Sequence, residues 1–145
     1  MALLLTARQL GSVVESLEAI SISSTSSDKR KFPRIAVEAR IALAPIVNHR
    51  MHPWRCVLTR DISFAGLGLL QGEVVEQQEQ FIVQLPTSNH ARLSLVGVVM
   101  HCRKLADGIF MIGTRYLREV DEDFVRSLER LARAEPPKTA APVIR

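Results

Sequence analysis

The stretch Ile35-Ala36-Val37-Glu38-Ala39-Arg40-Ile41-Ala42-Leu43 alternates an apolar inner set (Ile35, Val37, Ala39, Ile41, Leu43) with Ala36, Glu38, Arg40 and Ala42. Successive side chains of an extended chain point to opposite faces, so this period of two predicts a half-buried strand. Downstream, further strands are predicted at Trp54 to Arg60, Gly66 to Gln71-Gly72, Gln80 to Leu85, Arg92 to about Arg103, and Ile109 to Tyr116. Pro86-Thr87-Ser88-Asn89 and Ala106-Asp107-Gly108 supply turns, the latter a strong hairpin signal. Asp61 to Gly66 is read as the connection between the second and third strands. Six strands at this spacing with no helix between them argue for a mainly β fold, a six-stranded antiparallel barrel.

The flanks have a different period. From Ala2 to about Ile20, Leu3, Ala7, Leu10, Val13, Val14, Leu17 and Ile20 recur at intervals of three and four and predict an additional N-terminal helix. Gly11 weakens that helix by roughly 1 kcal/mol relative to Ala, so it requires a surface to lie on. Residues 21–28 read as a flexible Ser-rich linker. At the other end, Asp121 to Ala134 predicts a closing helix with Phe124, Leu128 and Leu131 as its inner stripe and acids in its first turn. Pro136-Pro137 stops it, leaving residues 135–145 as a disordered tail.

The 145 residues fit one domain with appendages, and 47% of them are hydrophobic, enough for a single core. The net charge is only +4, yet Lys29 to Arg60 holds eight Lys and Arg against one acid, Glu38. A local positive field of this kind suits a small multiply charged anion or a nucleic acid. Cys56 and Cys102 each sit in a strand-like apolar run without a C-x-x-C pair and read as reduced, buried thiols of a cytosolic protein. No segment approaches about 18 consecutive apolar residues, so neither export nor a membrane span is expected.

Two short runs carry the chemistry. Arg30-Lys31-Phe32-Pro33-Arg34 sets two guanidinium forks four residues apart at the mouth of the first strand and reads as an anion clamp. Asp61-Ile62-Ser63-Phe64-Ala65-Gly66 sets a carboxylate, a hydroxyl and a glycine at a strand end, where acceptors can meet the donor-rich edge of a guanine. Ordinary turn chemistry also accounts for Asp and Ser at a strand end, and both roles can hold at once. Phe32 and Phe64 read as rim packing.

In their order and separation, R-x-x-x-R followed by D-x-S-x-x-G, these runs resemble the PilZ domain family, and the resemblance covers Lys29 to Arg133. Gly113 followed by Tyr116 late in the last strand fits it too. The resemblance implies a PilZ-like barrel domain over residues 29–134 that binds cyclic di-GMP. By it, Arg30 and Arg34 contact phosphates and guanine Hoogsteen edges, and Asp61 accepts from guanine N1–H and N2–H. Ser63 supplies a hydroxyl contact, Gly66 admits the backbone, and Lys29 adds charge to the patch. It further implies an arm that folds over the ligand. Here that arm is continuous with the linker and the N-terminal helix, so the helix or the barrel surface is expected to meet a downstream protein partner.

Other chemistries are disfavoured. His49, His52 and Cys56 lack a nearby fourth ligand, so no metal site is expected. His101, beside Cys102, reads as an edge-of-sheet residue. Ser63 lies in no G-x-S-x-G elbow, and no paired carboxylates or phosphate-gripping glycine loop occurs, which argues against an enzyme. Two other classes stay open: a small barrel binding nucleic acid through its charge, and an adaptor of the same fold that binds only protein. One Trp and one Tyr make a poor stacking platform for nucleic acid, and the intact spacing of the two runs speaks against the adaptor. The chain reads as a cytoplasmic bacterial receptor without a cofactor.

Overall fold

The computed structural model describes residues 3–20, 23–24, 34–89 and 91–134. Helix α1 (Ala7–Ala19) comes first. Nine strands follow among the described residues: β1 (Ser23–Ser24), β2 (Ile35–Glu38), β3 (Arg40–Val47), β4 (Arg50–Met51), β5 (Arg55–Ile62), β6 (Leu67–Gln71), β7 (Gln80–Pro86), β8 (Arg92–Ala106) and β9 (Ile109–Val120). Helix α2 (Glu122–Ala134) ends the described chain. Every pairing is antiparallel; β3-β5-β6-β9-β8-β7 returns to β3 and closes a six-stranded barrel. The six strands are those the alternation predicts.

The first predicted strand is split. Thr59, fully buried on β5, pushes its side chain between β2 and β3. Its hydroxyl donates to the Val37 carbonyl at 2.6 Å and accepts from the Ala39 amide at 3.0 Å, while its own amide donates to the Ala39 carbonyl at 2.8 Å. A side chain thus replaces one rung of the ladder, and Ala39 becomes a kink. Beyond it, β2 continues along β5, with Ile35 opposite Ile62 and Ala36 opposite Asp61. Ser23–Ser24, within the stretch read as a flexible linker, pair with Val37 and Glu38 as the short strand β1. The tail from residue 135 lies outside the described residues.

Inside the barrel, Val37, Ile41, Leu43, Val57, Ile62, Leu67, Leu69, Phe81, Leu95 and Ile112 share one core with Leu5, Leu10, Val13 and Leu17. Helix α1 is therefore a lid on its own barrel. It begins later than the period suggests: Thr6 and Gln9 form a reciprocal capping box, and Leu3 to Leu5 precede it outside the helix. Ser12 bonds both the hydroxyl and the amide of Ser88 at 2.8 Å, tying the lid to the β7–β8 turn. Helix α2 packs outside the barrel. Asp121 caps it by accepting from the Phe124 amide at 2.8 Å, and Val125 is its buried anchor beside Ile82 and Val96. Leu131, read as part of the inner stripe, is exposed. The Trp54 indole donates to Glu129 at 2.8 Å and pins the helix to β5's approach.

The cysteines depart from expectation. Both are free thiols, but Cys56 is exposed and Cys102 only half-buried. Among the described residues, no helix is long and apolar enough to cross a membrane. Because Thr59 serves two backbone groups in a dry site, Thr59→Val is expected to destabilise the fold by about 1–3 kcal/mol, read as a lowered urea midpoint without a changed slope.

Candidate ligand cleft

Strand β5 does not keep a simple alternation. Thr59 faces Leu69 and Asp61 faces Gly68, so one extra residue, Arg60, is bulged out between them. Without the bulge Asp61 would point inward like Thr59; with it, the carboxylate turns to the barrel's outer side. Asp61 thus lies in β5, where the sequence suggested a connection, and the turn is confined to residues 63–66.

The register then fixes a row across four strands. Asp61 lies opposite Gly68, Gly68 opposite Gly113, and Gly113 opposite His101. A Cβ on Gly68 would come within 2.5 Å of Asp61 Oδ1, and one on Gly113 within 2.2 Å of His101 Nε2. Gly113 therefore floors a cleft over which Asp61 and His101 lean from opposite sides, with Gly68 covered by the Asp61 carboxylate. Arg34 stands at its mouth, with Nη1 4.0 Å from Asp61 Oδ1; its side chain is 47% exposed and that of Asp61 19%. Ser63, Gly66, Met100, Thr114 and Arg115 line the remainder of a cavity of about 220 Å³. A loose ion pair at 4.0 Å with a half-exposed guanidinium, as in Arg34–Asp61, is worth only about 0–1 kcal/mol, so parting the two groups costs little.

Ser63 builds the turn. Its amide donates to the Gly66 carbonyl at 3.0 Å, and its Oγ accepts from the amides of Ala65 and Gly66 at 3.2 and 3.3 Å. The turn-forming role of Ser63 is thus real. Gly66 is packed against β9, where a Cβ would meet the Thr114 carbonyl oxygen at 1.9 Å. Next to it the Thr114 hydroxyl accepts from the Leu67 amide at 3.1 Å and donates to the Leu67 carbonyl at 2.9 Å. Phe64 packs against the core as rim packing requires, and its carbonyl accepts from the Leu5 amide at 2.9 Å. Behind the turn lies Tyr116, fully buried, with its hydroxyl 3.4 Å from the Ser63 carbonyl. Burial, reinforced by the Asp61 carboxylate, holds this phenol well above the ordinary tyrosine range.

Of the residues singled out from sequence, Arg34, Asp61, Ser63 and Gly66 come together around this cleft. Lys29 and Arg30, like Phe32, lie outside the described residues. Gly68, His101, Thr114 and Arg115 were not read as site residues; His101 does lie on a sheet edge, since the β7 ladder ends at Val98 and β9 alone pairs with β8 at this point. Only the strand register reveals them.

A model of the PilZ domain family matches residues 28–134. No curated protein matches the chain.

Gly66 faces rigid backbone, whereas Gly68 faces a side chain that can rotate. Gly66→Ala is accordingly expected to lower the melting temperature sharply, and Gly68→Ala to keep the fold while displacing Asp61; parallel thermal melts check the contrast. Tyr116, the single tyrosine, gives a second test. A phenol whose folded pKa is raised contributes stability that is complete below the unfolded value of about 10 and is lost as pH rises above it. Phenolate absorbance should therefore appear only together with unfolding in an alkaline titration, and Tyr116→Phe should flatten the fall of stability above about pH 10.

Proposed function

Since the chain belongs to the PilZ domain family, a family of cyclic di-GMP-binding domains, we propose that it is a cytoplasmic bacterial receptor for cyclic di-GMP that performs no chemistry of its own. The observation that carries this reading is the approach of Arg34 to Asp61 at the mouth of a glycine-floored cleft. A guanidinium can fork onto a phosphate or bridge guanine O6 and N7, which an ammonium does less well. A carboxylate beside it accepts from guanine N1–H and N2–H. One ligand bearing both phosphates and guanines satisfies the pair together. Arg30 and Lys29, just before Arg34 in the sequence, add further positive charge to this reading, and Ser63 and Gly66 let the ligand approach the turn.

The same turn offers a route to a partner protein. Phe64 lies between Ser63 and Gly66 and holds the Leu5 amide, while the Tyr116 carbonyl accepts from the Leu3 amide at 3.1 Å. Ligand that shifts this turn alters the seating of α1 and the surface it presents. A hundredfold difference in ligand affinity between two seatings corresponds to about 2.7 kcal/mol of coupling.

Titration calorimetry with cyclic di-GMP, using GTP and a short single-stranded oligonucleotide as controls, tests the proposal. Saturable binding of the cyclic dinucleotide alone is expected; binding of the oligonucleotide would point to a nucleic-acid barrel, and silence to a protein adaptor. Arg34→Ala should weaken binding by about 1.5–3 kcal/mol with the fold intact, and Arg34→Lys should recover part of it. Asp61→Ala should relax discrimination against cyclic di-AMP more than it lowers affinity. Unchanged amide exchange over residues 3–20 at saturating ligand would sink the relay to α1.

A further inference from the structure

The cleft has a second wall that neither run of the sequence supplies. Strand β8 carries a register shift between Val99 and His101, as β5 does between Thr59 and Asp61. Val99 is buried and faces Thr114; Met100 is the extra residue; His101 then lies opposite Gly113 and is exposed. Two bulges on separate strands thus aim two side chains outward at the two ends of a single row, Asp61–Gly68–Gly113–His101. Bulges of this kind re-aim side chains and are over-represented beside functional sites.

The imidazole does not stand away from the sheet. Its Nε2, Cε1 and Cδ2 lie 2.2, 2.3 and 2.9 Å from where a Cβ of Gly113 would be, so the tip of the ring covers the glycine. Adjacent strands are about 4.8 Å apart, which leaves too little width between Asp61 over Gly68 and His101 over Gly113 for a purine to lie beside the ring. A base engaged by the Asp61 carboxylate through its edge must extend over the imidazole instead. Arg34 and Arg115 are the other charged groups lining this cleft beside Asp61.

We propose that His101 is a ligand-contacting residue, the platform on which the guanine read by Asp61 stacks, and that Gly113 is a glycine so that the ring can lie down. The proposal rests on the cyclic di-GMP reading above. It supplies the flat aromatic surface that the single Trp and single Tyr do not, since Tyr116 is buried in the core and Trp54 is held by Glu129.

The test is affinity for cyclic di-GMP, by calorimetry, across a small set of full-length variants. Base–aromatic stacking predicts that His101→Ala weakens binding roughly five- to hundredfold, while His101→Phe stays within about threefold of wild type, and His101→Gln falls with Ala. Gly113→Ala should weaken binding by displacing the ring. Adding it to His101→Ala should then cost little more, a non-additivity that a simple packing role would not produce. On ligand addition the His101 imidazole Cε1–H resonance should move upfield under the guanine ring current. Wild-type affinity in His101→Ala, with Arg34→Ala still impaired, overturns the stacking role and leaves the receptor reading intact. Retention by Gln but not Phe also overturns it, in favour of a hydrogen bond. Failure of the wild type to bind cyclic di-GMP overturns both.

Discussion

The insertion of the Thr59 hydroxyl between Val37 and Ala39 is the constraint on which the cleft depends. It kinks the strand entering the barrel and leads β2 along the end of β5, which brings Arg34 alongside Asp61. It also anchors the inward side of β5 immediately before the bulge at Arg60, so Ile62 can return to the core while Asp61 turns outward. Cation and carboxylate therefore meet through backbone geometry, with no strong attraction between them required. A site arranged in this way is held ready by the barrel and keeps its polar groups available.

The second anchor is the close approach of Gly66 to β9. The turn has no room for a side chain there, and Ser63 satisfies its amides from within. Tyr116 and Phe64 then fill the space behind it, so the same few residues touch the cleft on one side and the core and lid on the other. Burial of the phenol beside a carboxylate is tolerable because the phenol stays neutral and hydrogen-bonds the Ser63 carbonyl.

Much of this was legible from residue order. Alternation from Ile35 to Leu43 and the turn at Asp107-Gly108 suffice for the barrel strands, because one face of each is buried and a slip would expose it. The approach of Arg34 to the Asp61–Gly66 run follows from strand placement as well. What periodicity misses are the bulges and their consequences. The break at Ala39 depends on a side chain twenty residues away, and the outward turn of Asp61 and His101 depends on single extra residues that leave no mark in hydropathy. The partnership of His101 with Gly113 requires the β8–β9 register, which is itself shifted three times. Cys56 looks interior in the sequence because Val57 and Leu58 follow it, although it is exposed on β5. On α2, Phe124 and Leu128 pack as the spacing predicts, Val125 beside them is the buried residue, and Leu131 near the helix end is exposed.

The lid is attached to the wall of the cleft through main-chain groups: the amides of Leu3 and Leu5 meet the carbonyls of Tyr116 and Phe64. Any side chain can accompany an amide, so this attachment makes no demand on which residues ride the solvent face of α1. Arg8, Glu15 and Ala19 could be exchanged for others without unseating the lid. The outer face of α1 is in that sense an erasable surface: the barrel can retain its grip on the segment while the residues written there are composed anew.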